Sequence, residues 1–485
     1  MHLKPKIKCT YDTYTANERV LVLHDEREPI VIQGELFAKL APLLDGTNTL
    51  STILEKLGST ASSPQVFFAL QQLASRGITV EGADQPDHAS AGLLEQFGGW
   101  SGSTIERLAG LSIAVQSIGE WPGGDVADSI ASALERNGMT VTRGGDGDFA
   151  VVATDDYLQP ELAAINRAAL AAGRPWMLVK PIGKELWIGP IFQPGTTGCW
   201  GCMAHRLRTN RQVEGFIQKN LGRDTLLVTA RAWLPATVDL AAGLTANEVL
   251  KWAVSPTTSA VLGTLRSFDV VSREAREHTL IKRPQCLDCG QEPTADASRA
   301  RAPAFESRIK KFTADGGHRT TTPEQTYERY KKHISPILGV VSELRPMYGP
   351  AIQLAPAYVA GHNFAMGTYN LEFLRESLRG ASGGKGMSDI QAKVSGLCEA
   401  IERFSGNYDH DKAAVRGTYA ELAPRAIHPN ACMGFSEEQY QQRSVPHPVA
   451  PKSRCVLVPN RFDESRELDW TELWSLTGEG ARLLP

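Results

Sequence analysis

The chain has 485 residues, 42% hydrophobic and 22% charged, with a formal net charge of −3. That length predicts roughly two to four domains, and the near-neutral balance excludes broad binding to nucleic acid. No run is apolar and long enough to span a bilayer, the N-terminus MHLKPKIKCTYDTY has no signal-peptide core, and eight cysteines are too few for a disulfide scaffold, so a cytoplasmic protein that avoids membranes is expected.

Residues 17–32, NERVLVLHDEREPIVI, hold two apolar runs around a charged centre, which predicts a β-hairpin. GELFAKLAPLLDG follows with Leu36, Phe37, Leu40, Leu43 and Leu44 at helical spacing and a stop at Gly46. TLSTILEKLG and SSPQVFFALQQLASRG predict two more helices, and ITVEG a closing strand. Residues 1–85 thus read as a winged-helix-like module, whose low positive charge argues against DNA as its ligand.

Residues 86–104 read as a linker. Beyond them LSIAVQSIG, MTVTRGG, DFAVVAT and PWMLVKP alternate with helical stretches, the pattern of a parallel, Rossmann-like α/β sheet over residues 105–300. The loop Ser117-Ile118-Gly119-Glu120-Trp121-Pro122-Gly123-Gly124 lies where a nucleotide loop would, yet lacks the G-x-G-x-x-G order and carries an acid and an indole. A scaffolding sheet is expected.

Two Cys-x-x-Cys pairs, Cys199/Cys202 and Cys286/Cys289, give the strongest metal signal. Together they complete a four-thiolate set, the closed coordination of structural zinc. Redox chemistry by one pair needs a thioredoxin-like context that neither has. His205 is expected to be an ordinary helix residue. Cys9, Cys398, Cys432 and Cys455 show no ligand spacing, and Cys398 is expected to pack.

From Glu306 to Thr322 the chain turns basic and polar, including Arg308-Ile309-Lys310-Lys311, and reads as a solvated linker. TPEQTYERYKKH predicts a helix starting at Thr322-Pro323, SPILGVVSELRP a turn and strand, and YGPAIQLAPAYVAG another strand. Gly383-Gly384-Lys385-Gly386 is no Walker A loop and suits a flexible turn. A helix over 388–405 would bury Ile390, Val394, Leu397 and Ile401, and place Gln391, Ser395, Glu399 and Glu402 on another face. Glu399 and Glu402 beside Arg403 suit Mg2+ and a polyphosphate; a plain amphipathic helix accounts for the spacing equally.

The stretch GGKGMSDIQAKVSGLCEAIERFSGNY resembles the signature of the YcaO family, ATP-dependent enzymes that activate peptide backbone amides. The order of modules, a PqqD-like leader-recognition domain, a ubiquitin-activating-enzyme-like domain with paired cysteines and a YcaO domain at 315–485, is similar to that of fused azoline-forming cyclodehydratases such as the cyanobactin heterocyclases. The resemblance implies that Glu399 and Glu402 hold the Mg2+ of ATP and that Arg319, Thr326 and Ser395 approach the nucleotide, Arg319 standing where a lysine is more familiar. It leaves the catalytic residues unassigned. It implies conversion of Cys, Ser or Thr in a ribosomally made precursor to thiazoline or oxazoline, an α/β domain without ATP chemistry, and a homodimer. The precursor's leader would add as a strand to the hairpin Val20–Val31, with the helix 62–76 as groove wall. The family's catalytic domain is longer than the part present here, with a second acidic cluster and a proline-rich end, so an incomplete α+β YcaO domain is expected; VPHPVAP (445–451) reads as a loop and SLTGEGARLLP as strand–turn–strand. A leader-binding scaffold and a thioamide-forming enzyme are the alternatives.

Overall fold

The computed structural model describes residues 2–17, 19–24, 28–82, 92–94, 96–97, 102–121, 124–222, 227, 232–256, 259–290, 301–313, 317–349, 355–362, 380–406, 414–443, 458–477 and 480–485. Residues 445–451, the whole of the expected proline loop, and Cys455 lie outside them, as does most of the expected linker 86–104. Contacts divide the chain into one unit of residues 1–204 with 218–281 and a second of 205–217 with 282–485. No described helix is long and apolar enough to cross a membrane.

The first unit begins with β1 (Pro5–Ile7), β2 (Asp12–Ala16), β3 (Val20–His24) and β4 (Ile30–Gln33). Helices α1 (Glu35–Leu40), α2 (Leu50–Leu57) and α3 (Ser63–Ser75) follow, then β5 (Thr79–Glu81). The hairpin forms in the expected place, with Val22 opposite Val31. Leu21, Leu23, Leu40, Ile53, Leu73 and Ile78 close the core beneath it. Thr49 caps α2, and Ser62 and Gln65 form a capping box on α3, so the chain enters both helices through satisfied amides. Two strands lay outside the sequence reading. β1 pairs with β5, and β2, exposed at every residue and so without any apolar alternation, pairs with β3. That pairing occupies one side of the hairpin in which the leader edge is expected. β3 is bonded on both sides, and β4 is the hairpin's outer strand in the described sheet.

Helix α4 (Gly102–Gly110) starts within the expected linker. The sheet that follows runs β12-β11-β10-β9-β8-β6-β7. Its strands β6 (Ser112–Ile118), β7 (Thr140–Arg143), β8 (Phe149–Thr154) and β9 (Trp176–Lys180) are parallel, with α5 (Val126–Arg136) and α6 (Glu161–Ala172) as crossovers. The rest of the sheet corrects the parallel expectation. β10 (Glu185–Phe192), β11 (Thr264–Asp269) and β12 (Ala275–Thr279) are antiparallel, because the short link from Lys180 to Glu185 permits only a hairpin, whereas a parallel return needs a long crossover. Helices α7 (Trp200–Asn210), α8 (Gln212–Leu221) and α9 (Pro235–Val254) lie between β10 and β11 in sequence.

His278 on β12 is buried, with its Nε2 3.0 Å from Ser267 Oγ. Burial pushes its pKa down to about 4; Glu185 pulls it up and Arg276 pushes it further down. The unfolded chain therefore binds a proton near pH 6.5 that the folded chain refuses until about pH 4. Stability is expected to fall by up to roughly 3 kcal/mol as pH drops through that window. Urea unfolding of the wild type and of His278→Gln across it should show the slope flattened in the variant.

In the second unit, α10 (Pro323–Tyr330) begins at a Thr322–Gln325 capping box, as its sequence predicted. β13 (Val341–Pro346), β14 (Ala357–His362) and β15 (Ala381–Lys385) form an antiparallel sheet under α11 (Asp389–Ser405). A second sheet joins β16 (Val415–Gly417), β17 (Leu468–Ser475) and β18 (Gly480–Leu484), with the short helices α12 (Tyr419–Leu422), α13 (Pro429–Met433) and α14 (Glu437–Gln442) between its first two strands in sequence. Buried Trp470 fastens β17 to β16 by donating its indole N–H to Gly417 O at 2.9 Å.

The glycines before α11 are the clearest departure from expectation. Gly383, Gly384 and Lys385 form a strand, with Gly384 opposite Tyr358, and make no turn. A Cβ at Gly384 would overlap the Ala392 carbonyl and the Gly396 amide, whereas one at Gly383 would meet nothing within 4 Å. Gly384 on the strand and Gly396 on the helix therefore let the two touch backbone to backbone. Gly384→Ala is expected to cost about 1–3 kcal/mol by overpacking, and Gly383→Ala to be close to neutral. Thermal unfolding of the two variants side by side checks this.

Candidate nucleotide and metal sites

The close approach fixes how α11 presents its side chains. Its buried face is Ala392, Gly396, Leu397 and Ala400; Ile390, Val394 and Ile401 are only half-buried. Small residues replace the expected bulky stripe because the strand lies so near. Ser395, Glu402 and Arg403 are exposed, and Glu399 is half-buried. Arg403 Nη2 lies 2.8 Å from Glu399 Oε1, an i,i+4 pair that gathers one of the two carboxylates and the guanidinium. Buried His362, ending β14, is held below the usual histidine range by burial first and then by the Arg403 charge, with Glu399 pulling it up.

The start of α11 is tied down by groups sequence reading missed. Ser388 caps the helix through Gln391 N; Tyr358 donates to Asp389 at 2.6 Å, and Lys393 Nζ lies 2.7 Å from the same carboxylate. Asp389 is held low by these partners, Lys393 first. The Asp389–Lys393 spacing was readable as an i,i+4 pair. Tyr358, on another strand, gave no local signal.

Arg319 sits in a two-residue bridge, its amide donating to Phe312 O at 2.9 Å, and its Nη1 donates to His318 O at 2.9 Å. Thr326, on α10, donates its hydroxyl to Thr322 O at 3.0 Å. α10 packs on α11 through a core of Tyr327, Tyr330, Leu397 and Ile401. The Arg319 charge also reaches Cys398, whose thiol burial pushes up and Arg319 pulls down. Half-buried and raised, Cys398 suits the packing role expected of it.

The four paired cysteines converge. One sulfur from each of Cys199, Cys202, Cys286 and Cys289 lies within 4.8 Å of every other, and three of the four residues are buried. Trp200 anchors the first pair by donating its indole N–H to Tyr157 O at 2.8 Å and its backbone N–H to Asn166 Oδ1 at 3.0 Å. The second pair lies in a turn closed by Gly290 N donating to Cys286 O at 2.8 Å. A Cβ on Gly290 would overlap the carbonyls of Cys286 and Pro284, so this turn requires glycine. Such a set can hold a metal ion, and its soft thiolate donors fit zinc. In the loop after β6, Gly119 has φ +95° against the Asp155 carboxylate, which accepts from Glu120 N at 3.3 Å. A carboxylate thus takes an amide that a phosphate would need.

The Glu-x-x-Glu-Arg helix thus lies on a three-stranded sheet, in a chain that also builds a four-cysteine cluster. Residues 383–485 match the YcaO cyclodehydratase family, described as ATP- and Mg2+-binding, and residues 6–81 match a winged helix-turn-helix domain. Over 99% of its length the chain is similar to a heterocyclase solved in complex with substrate and cofactor (36% identity, TM-score 0.85) and to the heterocyclase TruD (33% identity, TM-score 0.76). It spans 64% and 63% of those chains respectively. The comparison with curated proteins finds no match.

Proposed function

We propose that this chain works as an ATP-dependent peptide cyclodehydratase, forming thiazoline or oxazoline rings from Cys, Ser or Thr of a precursor peptide in the cytoplasm. The observation that carries the proposal is the α11 end, where Arg403 pairs with Glu399 and adjoins Glu402 in sequence, within a YcaO match and within a chain similar throughout to heterocyclases. In this reading residues 1–85 recognise the leader, 105–300 scaffold it around a zinc held by Cys199, Cys202, Cys286 and Cys289, and 315–485 carry nucleotide. Two such chains pair as a homodimer.

The substrate side chain gives up its thiol or hydroxyl proton to solvent as its sulfur or oxygen bonds to the preceding carbonyl carbon, and the C=O π pair moves onto oxygen, leaving an oxyanion that is a poor leaving group. Bound ATP, with Mg2+, supplies the phosphoryl group that lets this oxygen depart as phosphate, with ADP as the other product. The amide nitrogen then gives up its proton as the C=N bond forms. Glu399 and Glu402 would hold the metal, while Arg403, Arg319, Thr326 and Ser395 would meet phosphate or nucleotide, so developing negative charge would face cations. The leader adds to β4, whose outer edge is the hairpin's unpaired side in the described sheet, and this tether raises the local concentration of the core peptide.

The test incubates the full chain with Mg-ATP and a precursor carrying its leader, then reads peptide mass and ADP. Loss of one water per ring with matching ADP is the expected result. Leader binding with neither ATP turnover nor water loss would overturn the enzyme and leave a scaffold.

A further inference from the structure

Glu402 and Arg403 occupy the last turn of α11, which ends at Ser405. Terminal turns lack half their backbone partners and open first, so a site placed there needs support from outside the helix. Arg206, only 9% exposed, supplies a contact at that point. Its guanidinium carbon lies 4.4 Å from the ring centroid of Phe404, the residue immediately after Arg403.

Arg206 is itself held. It lies on α7, and at the end of that helix Asn210 Nδ2 donates to Ile337 O at 2.8 Å and to Gly339 O at 3.2 Å, in the turn before β13. Its charge also reaches His333, which burial, Lys332 and then Arg206 hold below the usual histidine range. A cation buried over an aromatic face is attracted more strongly than an exposed one, and a positive charge beside a helix C-terminus complements the dipole. α7 therefore brings a fixed cation to the turn that carries the proposed ligands.

We infer that Arg206 is a positioning residue that clamps the last turn of α11 through Phe404, holding Glu402 and Arg403 in place for Mg-ATP. The inference rests on the reading of α11 as the nucleotide helix. Arg206 touches no reacting atom itself. The test measures hydrogen exchange over residues 400–405 and Mg-ATP affinity in the full chain, for wild type, Arg206→Met, Arg206→Lys, Phe404→Leu and the double variant Arg206→Met/Phe404→Leu.

Exchange in that segment is expected to quicken about fivefold in Arg206→Met and in Phe404→Leu, which is ~1 kcal/mol. The double variant should be no faster than either, and lysine should restore part of the protection. Mg-ATP should bind more weakly by a similar factor. Unchanged exchange in both single variants would overturn the clamp. Faster exchange with unaltered Mg-ATP affinity would overturn its positioning role. A wild type that binds no Mg-ATP would sink the nucleotide reading, while exchange would still decide the clamp.

Discussion

Replacing Glu402 by glutamine is expected to lower Mg-ATP turnover at least about a hundredfold and leave folding intact, since the proposed metal ligand loses its charge while the shape is kept. Glu402 is exposed on the last turn of α11, so the fold has little stake in it, and the stability change should stay within about 0.5 kcal/mol. Glu399→Gln should lose as much turnover with a different signature. It also breaks the 2.8 Å pair with Arg403, worth only about 0.3–0.5 kcal/mol as an exposed i,i+4 contact. Calorimetric titration with Mg-ATP, beside thermal unfolding, separates the two roles. If both variants bind Mg-ATP as wild type does, the carboxylates are a solvated face and the nucleotide reading of α11 fails.

The second large effect concerns the cysteines. Cys202→Ser should purify without the one zinc per chain expected of the wild type, and should unfold at a markedly lower temperature. Zinc binding to small folded peptides is worth ~10–16 kcal/mol, so a single ligand among four carries roughly 2.5–4 kcal/mol. Cys202 is fully buried, and serine there would leave a hydroxyl facing three thiolates. Elemental analysis and calorimetric unfolding, with and without a chelator, read the two quantities. Metal-free protein as stable as the loaded form would mean that the four sulfurs merely pack as small apolar groups.

Local features of this chain were legible in its sequence. Capping residues at Thr49, Ser62 and Thr322 start helices where they stand, and the hairpin around residues 17–32 forms from two apolar runs that flank a charged centre. The parallel strands β6 to β9 follow from strand–helix alternation, and the paired cysteines announced their own convergence through their spacing. Most of those signals live within a few residues of each other, which is the range over which sequence alone constrains a backbone.

What the tertiary structure decided depends on contacts between distant segments. β2 has no apolar alternation and exists only because β3 offers an edge. The strand at Gly383–Lys385 reads locally as a turn, and becomes a strand because β14 pairs with it and α11 lies close enough to exclude any side chain from Gly384. That same proximity rotates the buried face of α11 onto Ala392, Gly396 and Ala400. Arg206 reaches Phe404 across a separation that no periodicity encodes. Sequence by itself determined which residues can carry charge or ligate a metal, since residue type sets charge and ligand preference; only the packing of separate segments decided which of them meet, and how firmly each is held.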